Sequence, residues 1–329
     1  MSDLKNIALL TKDLVVGYTK EKKSHALFDS LNLSLRAGEL VCFMGSNGVG
    51  KTTLIRTLTG LQKPLGGKIE TINNQAVAVV LTDRINSAVM TVYDLVTYGR
   101  YPYLNWNVSL SDRDYEIVEQ AIKQVHLESI VDKKLFELSD GQLQMAMIAK
   151  ALAQDTPILF LDEPTAHLDL NNRVEIMNIL RSLCRTANKT ILVATHELDL
   201  ALQTADRIWL ATSDRKIISG IPEDLVLDGT FDAVFQFKGF DLKTGKISHE
   251  ASRNVSISLS GSGHPFLWTK NALERCGYFI SSTAELKLEV AEEEAKPVWL
   301  LTSKTEMTKF YALEKLLNAL ISRDTKGED

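Results

Sequence analysis

The sequence is poor in cysteine and lacks long apolar runs, and each shortage excludes a class of protein. Three cysteines occur among 329 residues; they are odd in number and fit no metal spacing, which argues against a disulfide scaffold or a structural zinc site. We expect Cys42, Cys184 and Cys276 to be buried thiols of a reduced chain. Apolar runs stay below the ~18 residues that a membrane span requires, and the first residues lack the zones of a signal peptide. Any membrane role is therefore expected to come through a partner.

Basic residues are not in excess either. The chain has 37 lysines and arginines against 42 aspartates and glutamates, a formal net charge of −5. Binding along a phosphate backbone requires a basic surface, so nucleic acid is disfavoured as the main partner. The length suffices for about two domains, each large enough to bury its own core.

Short apolar runs alternate with helical patterns between about residues 38 and 250. The runs ELVCFM, PILFLD and TILVATH are continuous, which is typical of parallel strands covered on both faces. We therefore predict an α/β domain over residues 1–250, built on a mostly parallel sheet. Residues 88–138 have the pattern of helices with turns, which predicts a helical insert, and a hairpin around residues 243–245 would close the domain.

The second domain, residues 251–329, is predicted to be a small α/β module. Its segments favour the order β-α-β-β-α, and Phe310, Leu313, Leu317 and Leu320 recur at helical spacing. Its role stays open between a regulatory module that senses a ligand or effector and a structural module that strengthens a dimer. Its SGSGHPF stretch is either an anion site at a helix start or, more simply, a capped Gly/Pro turn.

The strand ELVCFM leads directly into a glycine-rich loop and a helix. Residues 45–52 match G-x-x-x-x-G-K-[ST] in the strand–loop–helix order that this phosphate-binding motif requires, although a glycine-rich turn with a surface lysine is the alternative. Backbone amides in such a loop form a nest for an anion, and the helix start adds partial positive charge. We predict that Lys51 contacts the β- and γ-phosphates of ATP and that the Thr52 hydroxyl ligates Mg²⁺. The predicted nucleotide-binding residues here are Gly45, Ser46, Asn47, Gly48, Val49, Gly50, Lys51, Thr52 and Thr53.

Two carboxylates and a histidine follow other strands of the predicted sheet. Asp162 ends PILFLD, Glu163 comes next, and His196 ends TILVATH. Ligands of open α/β sheets gather at the carboxyl ends of the strands, so we expect all three residues near the phosphate loop. Asp162 suits the Mg²⁺ shell, and Glu163 can accept a proton from, or orient, an attacking water. The alternatives are ordinary surface charge for the carboxylates and a structural role for the histidine.

The segment LSDGQ, residues 138–142, predicts by itself a helix cap before an amphipathic run. Its place in the chain adds a second interpretation. Together with the phosphate loop, LFLDEP, AHLD at 166–169 and His196, it resembles the ATP-binding subunits of ABC transporters in order and spacing. The resemblance covers about residues 1–250 and implies a P-loop NTPase domain of the ABC ATPase type.

This resemblance implies roles for further residues. Residues Ser139, Asp140, Gly141 and Gln142 are similar to the family's signature segment. In the family, this segment acts on ATP held by a second subunit. It implies a head-to-tail homodimer of this chain with two ATP molecules between the subunits. Asp169 matches the loop that communicates between the two sites, and His196 matches the switch histidine at the γ-phosphate. Tyr18 matches the aromatic residue that stacks on adenine, with strand-end packing as the alternative.

Within the family, MTVYDLVTYGRYPYLNW and DEPTAHLD resemble subunits of importers for iron-siderophores, haem or cobalamin. That likeness implies an ATPase at the cytoplasmic face of the inner membrane. Its partners would be multi-span permease subunits and, indirectly, a substrate-binding protein. Other classes remain open: a soluble ABC-type ATPase acting on a protein assembly or nucleic acid, and a P-loop kinase, which would leave LSDGQ and Asp169 without a task.

One position departs from the subfamily pattern. Thr82 stands where a glutamine normally touches Mg²⁺ and the attacking water and links to the membrane subunit. Threonine is shorter and has no amide. We expect hydrolysis to survive because Glu163 and His196 remain. Thr82 would then serve the Mg²⁺ site in a reduced way, Asp83 would assist, or the coupling would differ. Asp140, in place of the commoner glycine, is a milder departure.

Overall fold

The computed structural model divides the chain into two compact units, Met1–Gln236 and Phe237–Asp329. Each unit has its own apolar core and is described by itself. The division falls before the predicted boundary at residue 250, because the hairpin expected to close the first domain groups with the second unit. The described residues are 6–21, 23–71, 76–82, 87–104, 109–237, 240–242, 246–247, 253, 255–294, 296–303 and 306–324.

Strands and helices alternate along most of the first unit. Its strands are β1 (Ile7–Lys20), β2 (Lys23–Leu31), β3 (Ser34–Arg36), β4 (Leu40–Met44), β5 (Gly66–Thr71), β6 (Val77–Val80), β7 (Ile158–Asp162), β8 (Thr190–Ala194), β9 (Arg207–Ala211) and β10 (Ile217–Gly220). Its helices are α1 (Lys51–Leu58), α2 (Val92–Thr97), α3 (Asp112–Gln124), α4 (Asp140–Leu152), α5 (Leu170–Thr186), α6 (Leu198–Thr204), α7 (Pro222–Leu227) and α8 (Thr230–Phe235).

The main sheet of this unit has the strand order β10-β9-β4-β8-β7-β6. Neighbouring strands run parallel, apart from β10, which is antiparallel to β9. Every residue of β4, β7 and β8 is buried. Since successive side chains of a strand point to opposite faces, both faces of these strands are covered, which explains their continuous apolar sequence. The predicted parallel sheet is confirmed, and the carboxyl ends of β4, β7 and β8 lie at one edge.

A second, antiparallel sheet of the first unit was not predicted. Strand β1 pairs with β2, β3 and β5. Its buried side chains join those of the main sheet and α1 in a common core, for example Phe28 with Phe43, whose ring centroids are 6.2 Å apart. The long, irregularly shifted strand β1 has no clean alternation of polar and apolar residues, so its pattern did not identify it.

The helical insert is held by capped helix starts and one buried ion pair. Thr91 and Ser111 cap α2 and α3 with reciprocal side-chain and backbone hydrogen bonds. Arg100 is 6% exposed; its Nε donates to Asp114 Oδ1 at 2.8 Å and its Nη1 donates to the Ala153 carbonyl at 2.9 Å. Hydrogen bonds from Ser111, followed by the one from Arg100, lower the pKa of Asp114 to about 2. The predicted insert is confirmed, with α3 and α4 packed together.

The second unit is a sheet with helices and a short hairpin. Its elements are β11 (Phe240–Asp241), β12 (Lys246–Ile247), β13 (Ser256–Ser260), α9 (Gly263–Arg275), β14 (Phe279–Ile280), β15 (Leu286–Glu293), β16 (Lys296–Ser303), β17 (Glu306–Phe310) and α10 (Leu313–Asp324). The sheet order is β14-β13-β15-β16-β17, with β13 parallel to β14 and β15 and the other pairs antiparallel. Strands β11 and β12 form the predicted hairpin, whose turn residues 243–245 lie outside the described residues.

One helix assignment in this unit was wrong. Phe310 was expected on the last helix with Leu313 and Leu317, but it ends β17, opposite Trp299 of β16. Its ring still packs on the same core as Leu313 and Leu317, so an apolar residue is needed there in either conformation. Spacing by itself cannot distinguish the end of an inward-facing strand from the start of a helix that follows it.

Candidate active site

The glycine-rich loop connects the carboxyl end of β4 to α1. Gly50 has φ 112°, and a Cβ atom built there would lie 2.9 Å from Leu27 Cδ1. Gly48 has φ 78°. Both are conformations that side chains rarely adopt, so the loop can take this shape because its residues are glycines. Ser46, Asn47 and Gly48 are exposed, which leaves the outer side of the loop open to a ligand.

Lys51, the first residue of α1, is bent back over this loop. It is 8% exposed, and its Nζ donates to the Gly45 carbonyl at 3.1 Å and lies 3.7 Å from Glu163 Oε1. Thr52, next in the chain, is exposed, and Thr53 is half-buried. A buried ammonium group, a helix start and an open glycine loop together fit an anion such as a phosphate group.

Asp162 ends β7 and is 2% exposed. Neither of its carboxylate oxygens has a hydrogen-bond partner among the described residues. A buried carboxylate without partners is costly, and a cation is the partner that removes the cost. No group of three or more His, Cys, Asp and Glu side chains in the described parts of the chain could hold a metal ion. The buried carboxylate of Asp162 fits Mg²⁺, which is commonly held by one or two carboxylates together with phosphate oxygens and water.

Glu163 lies between Lys51 and His196. Its φ of 50° is unusual for a residue other than glycine and costs of order 1–3 kcal/mol. Its backbone N–H donates to the Ala194 carbonyl at 2.9 Å, which fixes this turn against the end of β8. The Glu163 Oε2 atom lies 2.7 Å from His196 Nδ1, and it accepts a hydrogen bond from that nitrogen when Nδ1 carries the proton. The ends of β7 and β8 thus bring Glu163 and His196 together with Lys51.

The predicted signature segment begins α4. Ser139 Oγ accepts a hydrogen bond from the Gln142 backbone at 3.2 Å, and Gln142 Oε1 accepts one from the Ser139 N–H at 3.1 Å, so the predicted cap is confirmed. A Cβ atom on Gly141 would lie 2.7 Å from the side chain of Asn172. Asn172 in turn donates through its Nδ2 to Asp169 Oδ2 at 2.9 Å. The glycine therefore permits α4 to lie directly against the start of α5, where Asp169 is the N-cap.

Thr82 also lies beside the site. A cavity of about 50 Å³ is lined by ten residues, among them Thr82, Asp140, Gln144, Glu163 and His167. That volume suffices for a water molecule with polar neighbours. The threonine that replaces the expected glutamine therefore shares a cavity with Glu163. Asp83, its proposed helper, lies outside the described residues.

Tyr18 is placed differently from the other predicted site residues. It lies on β1, in the antiparallel sheet, and is 47% exposed. Its ring stacks on His25, its register partner on β2, with centroids 5.4 Å apart. Strand β2 continues to Leu27, which contacts Gly50, so this hairpin passes the phosphate loop. His25 could not be predicted from the sequence, because its place beside Tyr18 depends on the pairing of β1 with β2.

The fold and site together define a P-loop nucleoside triphosphatase. Comparison with known proteins narrows the class. Residues 28–166 match the family model described as ABC transporter. An ABC transporter ATP-binding protein of Methanocaldococcus jannaschii is 34% identical over 74% of this chain and 89% of its own length. The petrobactin import ATP-binding protein FpuD of Bacillus anthracis is 37% identical over 70% of this chain and 87% of its own length.

A solved ABC transporter in an inward-facing conformation agrees with this, with 28% identity, a TM-score of 0.63, and coverage of 70% of this chain and 89% of that chain. The chain belongs to the ABC transporter ATP-binding family and is an ATPase coupled to transport. The predicted resemblance is thereby confirmed, and the soluble-ATPase alternative is not supported.

The second unit, which the sequence analysis left unassigned, also matches a family. Residues 254–321 match the model described as iron ABC transporter C-terminal domain. Within the described residues, every helix is too short or too polar to cross a membrane.

Proposed function

We propose that this chain powers import of an iron chelate of the siderophore type through a membrane-embedded permease. Two independent similarities support this cargo. Relatives over the first unit are named for import of petrobactin and transport of achromobactin, and the second unit matches an iron transporter C-terminal domain. A cobalamin importer is also among the relatives, at 29% identity over 76% of this chain. Haem or cobalamin would therefore be the next cargoes to test.

The observation that carries the ATPase mechanism is the convergence of Lys51, Asp162, Glu163 and His196 at one edge of the main sheet. Loop residues 45–53 would hold the phosphates, with Lys51 on the β- and γ-groups. Thr52 and Asp162 would hold Mg²⁺, which when bound offsets phosphate charge. The two partnerless oxygens of Asp162 support this assignment.

Glu163 would accept a proton from the attacking water or orient it. Its Oε1 faces the Lys51 ammonium at 3.7 Å, and its Oε2 contacts His196. His196 is 54% exposed at its side chain, so its ring is open to a ligand on that side of the site.

A homodimer would complete each site. Residues 139–142 would contact ATP bound by the partner, and Asp169 would carry information between the sites. The spare amides of a helix start are suited to an anion, and α4 begins at this segment. Tyr18 would stack on adenine through the ring face that His25 does not cover.

The chain would act peripherally at the cytoplasmic face of the inner membrane, docked on a multi-span permease that receives cargo from a substrate-binding protein. The insert offers an aromatic surface for docking, since Tyr98, Tyr101 and Tyr103 are each between 42% and 48% exposed. Nucleic acid is not expected as a partner. Thr82 would contribute a hydroxyl to the water cavity in place of the usual glutamine.

Affinity purification of the tagged chain from detergent-solubilised native membranes, followed by mass spectrometry, tests the permease. A stoichiometric multi-span subunit is expected. Uptake of ⁵⁵Fe-labelled siderophore into cells then tests the cargo: Lys51→Ala should abolish uptake without releasing the permease, and the exposed Lys123→Ala on α3 is the matched control. Recovery from the soluble fraction without such a subunit would overturn the proposal.

A further inference from the structure

Two charged residues outside the roles assigned above connect His196 to the loop that carries Asp169. Glu197 follows His196 in the chain, and Arg173 lies in the first turn of α5. Arg173 Nη1 donates to Glu197 Oε1 at 2.8 Å. The Arg173 side chain is 33% exposed and that of Glu197 18%, so the pair is largely shielded from solvent.

The backbone around Glu197 is held in place from both sides. Its N–H donates to the Thr195 hydroxyl at 3.0 Å, and the Thr195 N–H donates to the Phe43 carbonyl of β4 at 3.0 Å. Glu197 is the N-cap residue of α6, yet its side chain makes no capping hydrogen bond. Its carboxylate is directed to Arg173 instead, so its position depends on that arginine.

Arg173 makes a second contact, with the backbone that precedes Asp169. Its Nε donates to the Leu168 carbonyl at 2.6 Å. Leu168 immediately precedes Asp169, whose Oδ1 accepts from the Asn172 backbone at 2.9 Å to cap α5. One guanidinium group thereby joins the loop at Asp169 to the carboxylate beside His196, in the fixed fork geometry of arginine.

The imidazole of His196 stands between two carboxylates. Its Nδ1 is bonded to Glu163, at 2.7 Å. Its Nε2 is 3.7 Å from Glu197 Oε1, which is too far for a hydrogen bond. That same oxygen accepts from Arg173. When both ring nitrogens of His196 carry protons, Nε2 also donates. Without the guanidinium group, the Glu197 carboxylate would be free to close this gap and accept that hydrogen bond, which a γ-phosphate would otherwise accept.

We propose that Arg173 is a positioning residue: it holds the Glu197 carboxylate away from Nε2 of His196, and it ties this arrangement to the Leu168 and Asp169 loop. The inference rests on the proposed function of His196 at the γ-phosphate. It assigns Arg173 no contact with the nucleotide. Its effect is therefore on turnover, with little effect on nucleotide affinity.

The test uses the full-length chain and a charge-removal rescue. Arg173→Met keeps the length of the side chain and removes its donors; kcat should fall about tenfold while KM and the affinity for a fluorescent ATP analogue change less than about twofold. In Arg173→Met the ¹⁵N NMR signal of His196 Nε2 should shift, because the Glu197 carboxylate then accepts a hydrogen bond from that nitrogen. Adding Glu197→Gln to this variant removes the competing charge and should restore kcat to within about threefold of wild type. Arg173→Lys keeps the charge but loses the forked guanidinium group, so its kcat should lie between those of wild type and Arg173→Met.

Two controls separate the possible failures. Arg207→Met breaks a comparable pair, in which Arg207 Nε donates to Glu39 Oε1 at 3.1 Å, and should leave kcat within about twofold. His196→Ala should lower kcat strongly; if it does not, the proposed function of His196 fails. If His196→Ala is slow but Arg173→Met is not, or if Arg173→Met is as slow with Glu197→Gln as without it, the positioning role is overturned.

Discussion

The two units of this protein are both α/β, yet their sheets place polar groups very differently. In the first unit, β4, β7 and β8 are parallel neighbours, and their carboxyl ends deliver Lys51, Asp162, Glu163 and His196 to one edge. In the second unit, β13 is parallel to β14 and β15, but β15, β16 and β17 are antiparallel, so the ends of these last three strands alternate between opposite edges. Its core is apolar around a buried hydrogen bond from Trp299 Nε1 to Thr269 Oγ1 at 2.6 Å.

The comparison teaches that strand direction decides whether polar side chains can collect. Parallel strands concentrate loops and helix starts at one edge, where an anion and a cation can be held together. An antiparallel meander divides them between two edges. The first unit is therefore the place for hydrolysis, and the second unit stabilises itself chiefly by apolar packing.

The largest expected effect tests the chemistry of the first unit. Glu163→Gln removes the carboxylate that we propose acts on the attacking water, so phosphate release should fall by about 100- to 10,000-fold. ATP binding, measured with a fluorescent analogue, should persist, and light scattering should detect a stabilised dimer with ATP. Glu175→Gln, an exposed carboxylate on α5, is the control. If Glu163→Gln hydrolysed ATP at nearly the wild-type rate, the proposed role of Glu163 in hydrolysis would be wrong.

The next effect tests the apolar core of the second unit. Leu316 is fully buried on α10, and Leu316→Ala should destabilise this unit by about 2–5 kcal/mol. Calorimetry with and without ATP and Mg²⁺ should show a lower unfolding temperature for the second unit. The unfolding transition that ATP and Mg²⁺ stabilise, that of the first unit, should keep its temperature. Leu267→Ala, at a residue that is 41% exposed on α9, should change little. A large loss of ATPase activity in Leu316→Ala would show that the units are not separable in function.

The third prediction tests whether the buried carboxylate of Asp162 lowers the stability of the nucleotide-free protein. Asp162→Asn removes a buried charge that has no hydrogen-bond partner in the described part of the chain, so the nucleotide-free protein should gain about 1–3 kcal/mol of unfolding free energy. The further rise in Tm with ATP and Mg²⁺ should be largely lost. Asp206, whose Oδ2 accepts from the Leu40 N–H at 2.9 Å, gives the matched control: Asp206→Asn should destabilise. If Asp162→Asn also destabilised the free protein, the carboxylate would be structural.

The last prediction, with the smallest effect, concerns the buried polar cluster around Asp114, which we assign to stability and not to a functional site. Hydrogen bonds from Ser111 and Arg100 lower the pKa of Asp114 to about 2, from an ordinary value of 3.8. Its ionised form therefore stabilises the fold fully above about pH 4, and this contribution is lost as the pH falls toward 2. The difference in Tm between wild type and Asp114→Asn should shrink over that window. The exposed Asp112→Asn should show no comparable trend, and a difference that persisted at pH 2 would contradict the assignment.

The sequence was sufficient for the parallel sheet, the insert and the phosphate loop because each has a local pattern. Continuous apolar runs identified β4, β7 and β8, and Gly48 and Gly50 identified a loop that other residues cannot form. The antiparallel sheet of the first unit and the short strands β14 and β17 were missed. Their pairing is set by distant partners, and a strand as short as Phe279–Ile280 has too few residues to show a period.

The candidate site divides in the same way. Lys51, Asp162, Glu163 and His196 could be predicted because each follows a recognisable apolar run or glycine-rich loop and because the surrounding motifs together resemble those of a family. Arg173 was not, since an arginine in the first turn of a helix carries no local signal. It became visible when folding placed α5 beside the segment after β8, and its guanidinium between Leu168 and Glu197.

Local chemistry thus settled the elements of this protein: where glycine permits a phosphate loop, which strands are covered on both faces, and which segments begin with a capped helix. Long-range packing settled the distances. Glu163 lies 2.7 Å from His196 and 3.7 Å from Lys51 because β4, β7 and β8 are neighbours in the sheet, although these residues are far apart in the chain. Strand order depends on the apolar burial of the whole core, so it cannot be predicted from a short segment alone.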